Sequence, residues 1–166
     1  MICPACRFEN FLGEDECANC GADLRNLDTP QQVTTFRGAL LGLHLDELGA
    51  PGPNLIDIGA SVTEAIGRMQ SAIVDCLLVT EGDALVGIFT DRDAILKVAG
   101  RPVDGLTVGD VMTHDPVILR SGDPVAVAIH KMVVGGFRHV PIVKDGVPVG
   151  VVSARDVFRH LAAGLD

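Results

Sequence analysis

The stretch Gly87-Ile88-Phe89-Thr90-Asp91-Arg92-Asp93 occurs again, in altered form, as Gly150-Val151-Val152-Ser153-Ala154-Arg155-Asp156, 63 residues further along the chain. Other segments on both sides of this pair match at the same offset. These are Ala65-Ile66 and Met69 with Ala128-Ile129 and Met132, and residues 45–48 with 108–111. The central apolar segments, residues 76–79 and 140–143, align at an offset of 64, with a small gap on each side. Matches at both ends of each copy predict an internal structural repeat.

The first half of each copy predicts a short strand followed by a helix. In the second copy, residues 117–119 predict the strand, and Pro124 closes a turn where a helix begins. Four apolar residues recur at helical spacing and predict one apolar face of this helix: Val125, Ile129, Met132 and Val133.

The second half predicts a hairpin and a closing helix. The signal Asp145-Gly146 joins two apolar strands, residues 140–143 and 149–152. Ser153 caps the closing helix, whose predicted inward residues are Val157, Phe158 and Leu161. Each copy therefore reads β-α-β-β-α, which is an α+β fold. Because a unit of about 55 residues buries little core alone, the two copies are expected to associate sheet to sheet as one pseudo-symmetric body.

Composition limits the function classes. The 166 residues are 48% hydrophobic, which excludes a largely disordered chain, and the net charge of −9 argues against nucleic acid as a partner. No apolar run approaches the roughly 18 residues of a membrane span, and the N-terminus shows no signal peptide, so we expect a cytoplasmic protein with no membrane partner. No P-loop, GxGxxG or GxSxG motif and no catalytic constellation is present, so we expect no enzyme activity.

Four of the five cysteines form two CxxC pairs near the N-terminus, Cys3 with Cys6 and Cys17 with Cys20. Two such pairs can place four thiolates around one metal ion, and a segment this short needs a metal or disulfides to fold. Structural zinc, rubredoxin-like iron and two disulfides all use this set of residues.

The segment CPAC-RFENFLGEDE-CANCGADL resembles the short zinc-ribbon family, with Arg7 where that family usually has glycine. Residues 1–28 carry two basic and six acidic side chains, and four thiolates on a divalent ion add further negative charge. A phosphate backbone would be repelled. The ribbon is therefore expected to serve structure or protein docking.

The repeat resembles a pair of cystathionine β-synthase (CBS) domains, most closely in VGDVMTHDPV (residues 108–117) and GFRHVPIVKDGVPVGVVSARDV (residues 136–157). The first copy is looser, because AIVDCLLV replaces the usual run with His and Pro. The resemblance implies binding of an adenosyl compound (AMP, ADP, ATP or S-adenosylmethionine) in clefts between the two copies. It also implies a homodimer.

The resemblance places ligand contacts at ten positions, which are Ile58, Thr90, Arg92, Asp93, Ile118, Arg138, His139, Ser153, Arg155 and Asp156. Thr90 and Ser153 end a strand where free backbone N–H groups at a helix start would favour phosphate. Asp93 and Asp156, three residues later, would accept hydrogen bonds from ribose hydroxyls. Arg92 and Arg155 would screen the negative charge of the phosphate. The alternative for each Thr/Ser–Asp pair is a capping box, which implies no ligand.

The two copies differ in charge. In the alignment at 64, Val74 and Asp75 of the first copy match Arg138 and His139 of the second. An anionic phosphate should prefer surroundings that contain Arg138, while a cleft near Asp75 suits a less charged ligand or stays empty.

We therefore predict a zinc ribbon over residues 1–28, a linker over 29–44, a first CBS domain over 45–107 and a second over 108–166. The predicted function is regulatory sensing of an adenosyl nucleotide, read out by a protein target that the sequence does not identify. Two alternatives stay open at this point: an iron electron carrier gated by the CBS pair, and a scaffold with empty clefts.

Overall fold

The computed structural model describes residues 3, 5–11, 14–24, 42–49 and 52–163. The chain divides into two compact units, Met1–Leu40 and Leu41–Asp166. Most of the predicted linker, residues 29–41, lies outside the described residues. No helix among the described residues is long and apolar enough to cross a membrane.

The larger unit contains two sheets and the helices that accompany them. A 3-10 helix (Leu45–Leu48) precedes the first repeat, which comprises β1 (Leu55–Asp57), α1 (Val62–Ala72), β2 (Cys76–Glu81), β3 (Ala84–Thr90) and α2 (Asp91–Asp93), continued by a π-helical turn (Ala94–Val98). A segment with α3 (Val108–Val111) and β4 (Thr113–His114) precedes the second repeat, which comprises β5 (Leu119–Arg120), α4 (Val125–Gly135), β6 (His139–Lys144), β7 (Val147–Ser153) and α5 (Ala154–Ala163). The sheet orders are β1-β2-β3-β4 and β5-β6-β7.

The strand registers show that the repeat runs at a single offset of 63. Cys76 lies opposite Thr90 in the β2–β3 ladder, and His139 lies opposite Ser153 in the β6–β7 ladder. The register irregularities, at Val79/Thr80 and Ile142/Val143, are 63 residues apart as well. The predicted offset of 64 in the central strands is therefore wrong. Asp75 is equivalent to Arg138, and Cys76 to His139.

The helix termini repeat in the same way. The N–H of Glu64 donates to the Ser61 hydroxyl at the start of α1, while Pro124 occupies the equivalent position before α4. Both helices end in the left-handed conformation, at Ile73 (φ 54°) and Gly136 (φ 66°). Because both helices end at equivalent residues, the strands that follow them, β2 and β6, also begin at equivalent residues.

Each repeat receives a short segment from the chain preceding the other. Residues 106–112 dock on the first repeat, where Gly109 N–H donates to Ile58 O (2.9 Å). Residues 43–46 dock on the second repeat, where Asp46 N–H donates to Ser121 O (3.0 Å). Because of this reciprocal exchange, Val108, Val111 and Met112 lie in the core of the first repeat. Gly87 leaves room for this packing, since a Cβ at that position would overlap Met112 Sδ unless the methionine side chain moved.

The core is aliphatic, as the composition indicates, but three predicted details are wrong. Val133 and Phe158 are exposed (76% and 72%), because Val125, Ala128, Met132 and Val157 already fill the inner faces of α4 and α5. The first strand of the second repeat is β5 at Leu119–Arg120, since parallel pairing with β6 starts only at Leu119. The two sheets meet where Val151 packs against Cys76, Leu78 and Ile88.

Candidate functional site

A cavity of about 490 Å³ lies between the two repeats. It brings together five of the predicted ligand contacts, which are Thr90, Arg92, Asp93, Arg138 and His139. The first three come from the start of α2, and the last two from the start of β6. We call this cavity the first cleft. Ser153, Arg155 and Asp156 do not line it. With Asp75, they occupy the positions that the repeat makes equivalent to Arg138, Thr90, Arg92 and Asp93, and we call this group of residues the second cleft.

The residue pair Thr90 and Asp93 forms a closed capping box. Thr90 N–H (3.0 Å) and the Thr90 hydroxyl (2.7 Å) both donate to Asp93 Oδ2, and Asp93 N–H donates back to Thr90 Oγ1 (3.3 Å). The next two amides are also used: Asp91 N–H donates to Asp75 O, and Arg92 N–H to Asp91 Oδ1. The expected free N–H groups at this helix start are therefore not free, because the protein itself supplies their acceptors.

Lys97 is a cation of the first cleft that the sequence analysis missed. Its ammonium lies 2.7 Å from Asp93 Oδ1 and donates to the carbonyl oxygens of Val111 (2.8 Å) and Met112 (3.1 Å). Burial raises the pKa of Asp93, but hydrogen bonds from Lys97 and Thr90 hold it below its usual value. The spacing of four residues between Asp93 and Lys97 was the available signal, since such pairs share a helix face.

Arginines cross the junction between the repeats at the first cleft. Arg138 Nη2 of the second repeat lies 3.2 Å from Asp91 Oδ2 of the first. In the opposite direction, Arg92 Nη1 donates to Gly136 O (3.1 Å). Both guanidinium groups therefore lie at the cavity and connect the two halves of the molecule.

The second cleft has the same backbone but different charges. Ser153 and Asp156 repeat the capping box, with the Ser153 hydroxyl donating to Asp156 Oδ2 (2.6 Å). Arg155, the equivalent of Arg92, lies 3.4 Å from Oδ2 of Asp75, which is the equivalent of Arg138. Ala154 replaces Asp91. The second cleft thus has one guanidinium beside a carboxylate at the positions where the first has two guanidinium groups.

His139 and Cys76 occupy equivalent positions at the first residue of their strands. Burial lowers the pKa of His139, opposed by the carboxylates of Asp75, Asp91 and Asp156. Burial, and then the same carboxylates, raise the pKa of Cys76 to about 12. Cys76 is therefore an unreactive core thiol, as expected for a buried cysteine outside a cationic environment.

The two predicted apolar contacts do not line the first cleft. Ile58 follows β1, and its carbonyl accepts the N–H of Gly109. Ile118 precedes β5 and lines a different depression near the β6–β7 hairpin. The two residues are not equivalent in the repeat, because the registers match Ile56 with Leu119. Val117, next to Ile118, lines the first cleft instead.

In the N-terminal unit, the four cysteine sulfurs lie within 4.8 Å of one another. Cys3 Sγ is 3.7 Å from Cys20 Sγ, and Cys6 Sγ is 3.6 Å from Cys17 Sγ. These distances are too long for disulfides, whose S–S bond is about 2.05 Å. They match the separation of about 3.8 Å between ligands of a tetrahedral ion with metal–sulfur bonds of about 2.3 Å. The residues present therefore fit a tetrathiolate metal ion.

The two CxxC turns are copies of each other. Arg7 N–H donates to Cys3 O and Gly21 N–H to Cys17 O, both at 2.8 Å. Arg7 has φ 61° and Gly21 has φ 69°, so arginine adopts the conformation that glycine adopts in the second turn. Burial raises the pKa of Cys17, but backbone and side-chain hydrogen bonds, including one from buried Asn10, bring it to about 6. Such a thiol is easily deprotonated for metal binding.

Comparison with known proteins identifies the repeat. The family model for the CBS domain matches residues 48–100 and 108–163. The CBS domain-containing protein CBSCBSPB1 of Arabidopsis thaliana is 35% identical over 145 residues, which cover 82% of this chain and 26% of that protein. Protein YlbB of Bacillus subtilis (strain 168) is 32% identical over 100 residues, which cover 58% of this chain and 68% of that protein. The chain spans only 18% to 26% of the length of its plant CBSCBSPB relatives.

Solved structures show the same fold. A CBS domain protein from Pyrobaculum aerophilum, complexed with AMP, matches with a TM-score of 0.64 and 28% identity, over 73% of this chain and 99% of that chain. A CBS-domain containing protein from Agrobacterium tumefaciens matches with a TM-score of 0.65 and 27% identity, over 71% of this chain and 98% of that chain. Together with the family match over most of both repeats, these findings show that the chain belongs to the CBS domain family and carries a tandem pair of its domains.

Proposed function

We propose that this protein is a non-catalytic regulatory protein that binds an adenosine nucleotide in the first cleft. The observation that carries the proposal is the convergence of Arg92 and Arg138, from opposite repeats, on one cavity. Its volume of about 490 Å³ lies in the range of small-molecule sites. The AMP complex of the Pyrobaculum aerophilum protein supports the choice of ligand.

The arginines suggest how binding becomes a signal. A phosphate that accepted hydrogen bonds from both Arg92 and Arg138 would join the two repeats through the ligand. Arg138 would then exchange part of its contact with Asp91 for the phosphate. A ligand that favours one relative pose of the repeats shifts the population toward that pose, and a target protein would respond to the change.

For the second cleft we propose a less charged adenosyl ligand, such as S-adenosylmethionine, held by Ser153, Arg155 and Asp156. The proposal rests on Asp75, which lies beside Arg155 and would repel an anionic phosphate. Ile58 and Ile118 stay proposed contacts to the adenine ring of a bound ligand, as the family resemblance implies.

Thermal unfolding and calorimetry with AMP, ADP, ATP and S-adenosylmethionine test the sensing function. A ligand at 100 times its dissociation constant stabilises the folded protein by about 2.7 kcal/mol. We expect Arg92→Ala to weaken AMP binding and Arg101→Ala, an exposed arginine outside the cavity, to leave it unchanged. No stabilisation by any of the four compounds would favour the scaffold with empty clefts.

We propose further that Cys3, Cys6, Cys17 and Cys20 hold a structural zinc ion, and that this ribbon serves structure or protein docking in the cytoplasm. The sulfur distances support a tetrahedral ion in reduced protein. Zinc would supply much of the folding free energy of so small a unit.

Metal analysis of freshly purified protein, with its absorption spectrum, tests the identity of the ion. We expect one colourless zinc ion per chain, lost in Cys17→Ser and retained in Cys76→Ser. A strongly coloured ferric site would instead support the iron electron carrier. The homodimer implied by the family stays a prediction, which sedimentation velocity measurements can test.

A further inference from the structure

The charged groups of the first cleft are arranged in pairs. Asp93 lies 2.7 Å from Lys97, and Asp91 lies 3.2 Å from Arg138. The guanidinium of Arg92 donates to a backbone carbonyl, so it brings a positive charge without a carboxylate in that contact. Asp115 adds a further carboxylate to the lining. Among the described residues that line the cavity, three cations are therefore balanced by three carboxylates, so the lining has no surplus positive charge to offset several phosphate charges.

Asp91 differs from the other carboxylates in what its contacts do. Asp93 completes a helix cap and holds a lysine, which makes it part of the fold. Asp91 Oδ1 accepts a backbone N–H from Arg92, and within the described part of the chain Arg138 is the one side chain that contacts its carboxylate. The equivalent residue of the second repeat is Ala154, which starts its helix without a carboxylate. The fold of this helix start therefore does not need the charge.

We infer that Asp91 is a specificity-determining residue that limits the negative charge of the nucleotide in the first cleft, so that a nucleoside monophosphate is bound in preference to a triphosphate. This inference rests on the proposed function of the cleft. Asp91 acts in two ways: it competes with phosphate for Arg138, and it repels each additional phosphate charge. Since the Asp91 side chain is 40% exposed and that of Arg138 64%, the ion pair is weak enough for one phosphate to displace.

Titration calorimetry of the full chain with AMP and ATP tests the inference. The variants are Asp91→Asn and, as a matched control, Asp83→Asn. Asp83 precedes β3 and Asp91 follows it, so the same charge is removed at opposite ends of one strand, roughly 25 Å apart. We expect the wild type to bind AMP more tightly than ATP. Asp91→Asn should strengthen ATP binding about tenfold and AMP binding about threefold, and Asp83→Asn should change neither.

Asp91→Ala, which copies Ala154, is a second variant that removes the carboxylate without introducing an amide. It should show the same change in the ratio of the two affinities as Asp91→Asn. Unchanged selectivity in both variants, or weaker binding of both nucleotides, would overturn the inference while leaving the proposed function intact. If neither nucleotide binds to the wild type or to any variant, the proposed function fails as well, and the two failures are thus distinguished.

Discussion

The two clefts of the CBS pair share a backbone and differ in their charges. The capping boxes, helix ends and strand registers repeat at 63 residues, and the side chains at four equivalent positions do not: Asp75 and Arg138, Asp91 and Ala154, Lys97 and His160, Cys76 and His139. Arg92 and Arg155 are the same in both clefts, as are the capping-box aspartates Asp93 and Asp156. The repeat therefore provides two places with the same backbone structure, and we expect the side chains that differ to determine which ligand binds at each.

These charges predict which cleft of the pair prefers an anionic ligand. Arg155 lies beside Asp75 in the second cleft, whereas its equivalent, Arg92, shares the first cleft with Arg138. A phosphate bound in the first cleft would meet two guanidinium groups, and one bound in the second would meet a guanidinium already paired with a carboxylate. Exchanging one residue between the clefts should therefore move the preference for anions from one side to the other.

The largest effect is expected for Arg138→Asp, which gives the first cleft the residue of the second. Reversing this charge should weaken AMP binding on the order of 100-fold, because an attraction is replaced by a repulsion next to the phosphate. Calorimetry measures the loss. The reciprocal variant, Asp75→Arg, should add a second AMP site and raise the stoichiometry. Equal AMP binding by both clefts of the wild type would contradict the comparison.

A smaller effect, on stability, is expected for the aspartates of the capping boxes. Asp93 is buried and binds Lys97, while Asp156 lies 3.5 Å from exposed Arg159. Asp93→Asn should lower the free energy of unfolding by about 2 kcal/mol and Asp156→Asn by about 1 kcal/mol, because only the former removes a buried partner of a cation. Urea denaturation gives both values. Equal losses would mean that the caps alone carry the effect.

The sequence predicted the order of helices and strands well, and the positions of individual residues in the clefts less well. The order of elements follows from turn chemistry and helical spacing, which Asp145-Gly146 and the matched pair Met69 and Met132 illustrate. The offset of the central strands was wrong because β2 and β6 are buried on both faces. A continuous apolar run has no alternation, so a shift of one residue leaves its pattern almost unchanged.

That shift of one residue mattered for the site. It placed Val74 opposite Arg138, whereas the registers place Asp75 there. The ion pairs across the junction, such as Asp91 with Arg138, could not be predicted, since they join residues 47 apart that belong to different repeats. The exposed Phe158 was placed inward because helical spacing indicates an apolar face without showing how much of it the core covers.

A pH effect should distinguish the equivalent positions of His139 and Cys76. Because burial lowers the pKa of His139 below 6.5, the unfolded chain binds a proton more readily than the folded protein. The free energy of unfolding should therefore fall as the pH drops below about 6.5, and the loss should be complete below the folded pKa. Cys76, with a pKa of about 12, stays protonated throughout and contributes nothing in this window.

Urea midpoints between about pH 5 and 8 measure this dependence. His139→Asn should reduce the loss of stability toward acid, while His130→Asn, at an exposed position of α4, should keep it. The acidic groups around His139 oppose the effect of burial. An unchanged profile in His139→Asn would show that the carboxylates of Asp75, Asp91 and Asp156 compensate for burial in full.

The smallest effect is expected in the N-terminal cysteine unit, the proposed zinc ribbon, where two copies of one turn again differ at a single position. Arg7 adopts φ 61° at the place where the second turn has Gly21. A non-glycine residue in this conformation destabilises the folded turn by roughly 1 kcal/mol relative to glycine. Glycine also makes the unfolded chain more flexible, and this offsets part of the stabilisation that it brings. Arg7→Gly should therefore stabilise the zinc-bound ribbon by about 0.5 kcal/mol, and Gly21→Ala should destabilise it. Competition with a chelator measures both changes as shifts in zinc affinity in opposite directions. A weaker zinc affinity in Arg7→Gly would mean that the arginine side chain contributes more to the turn than its backbone conformation costs.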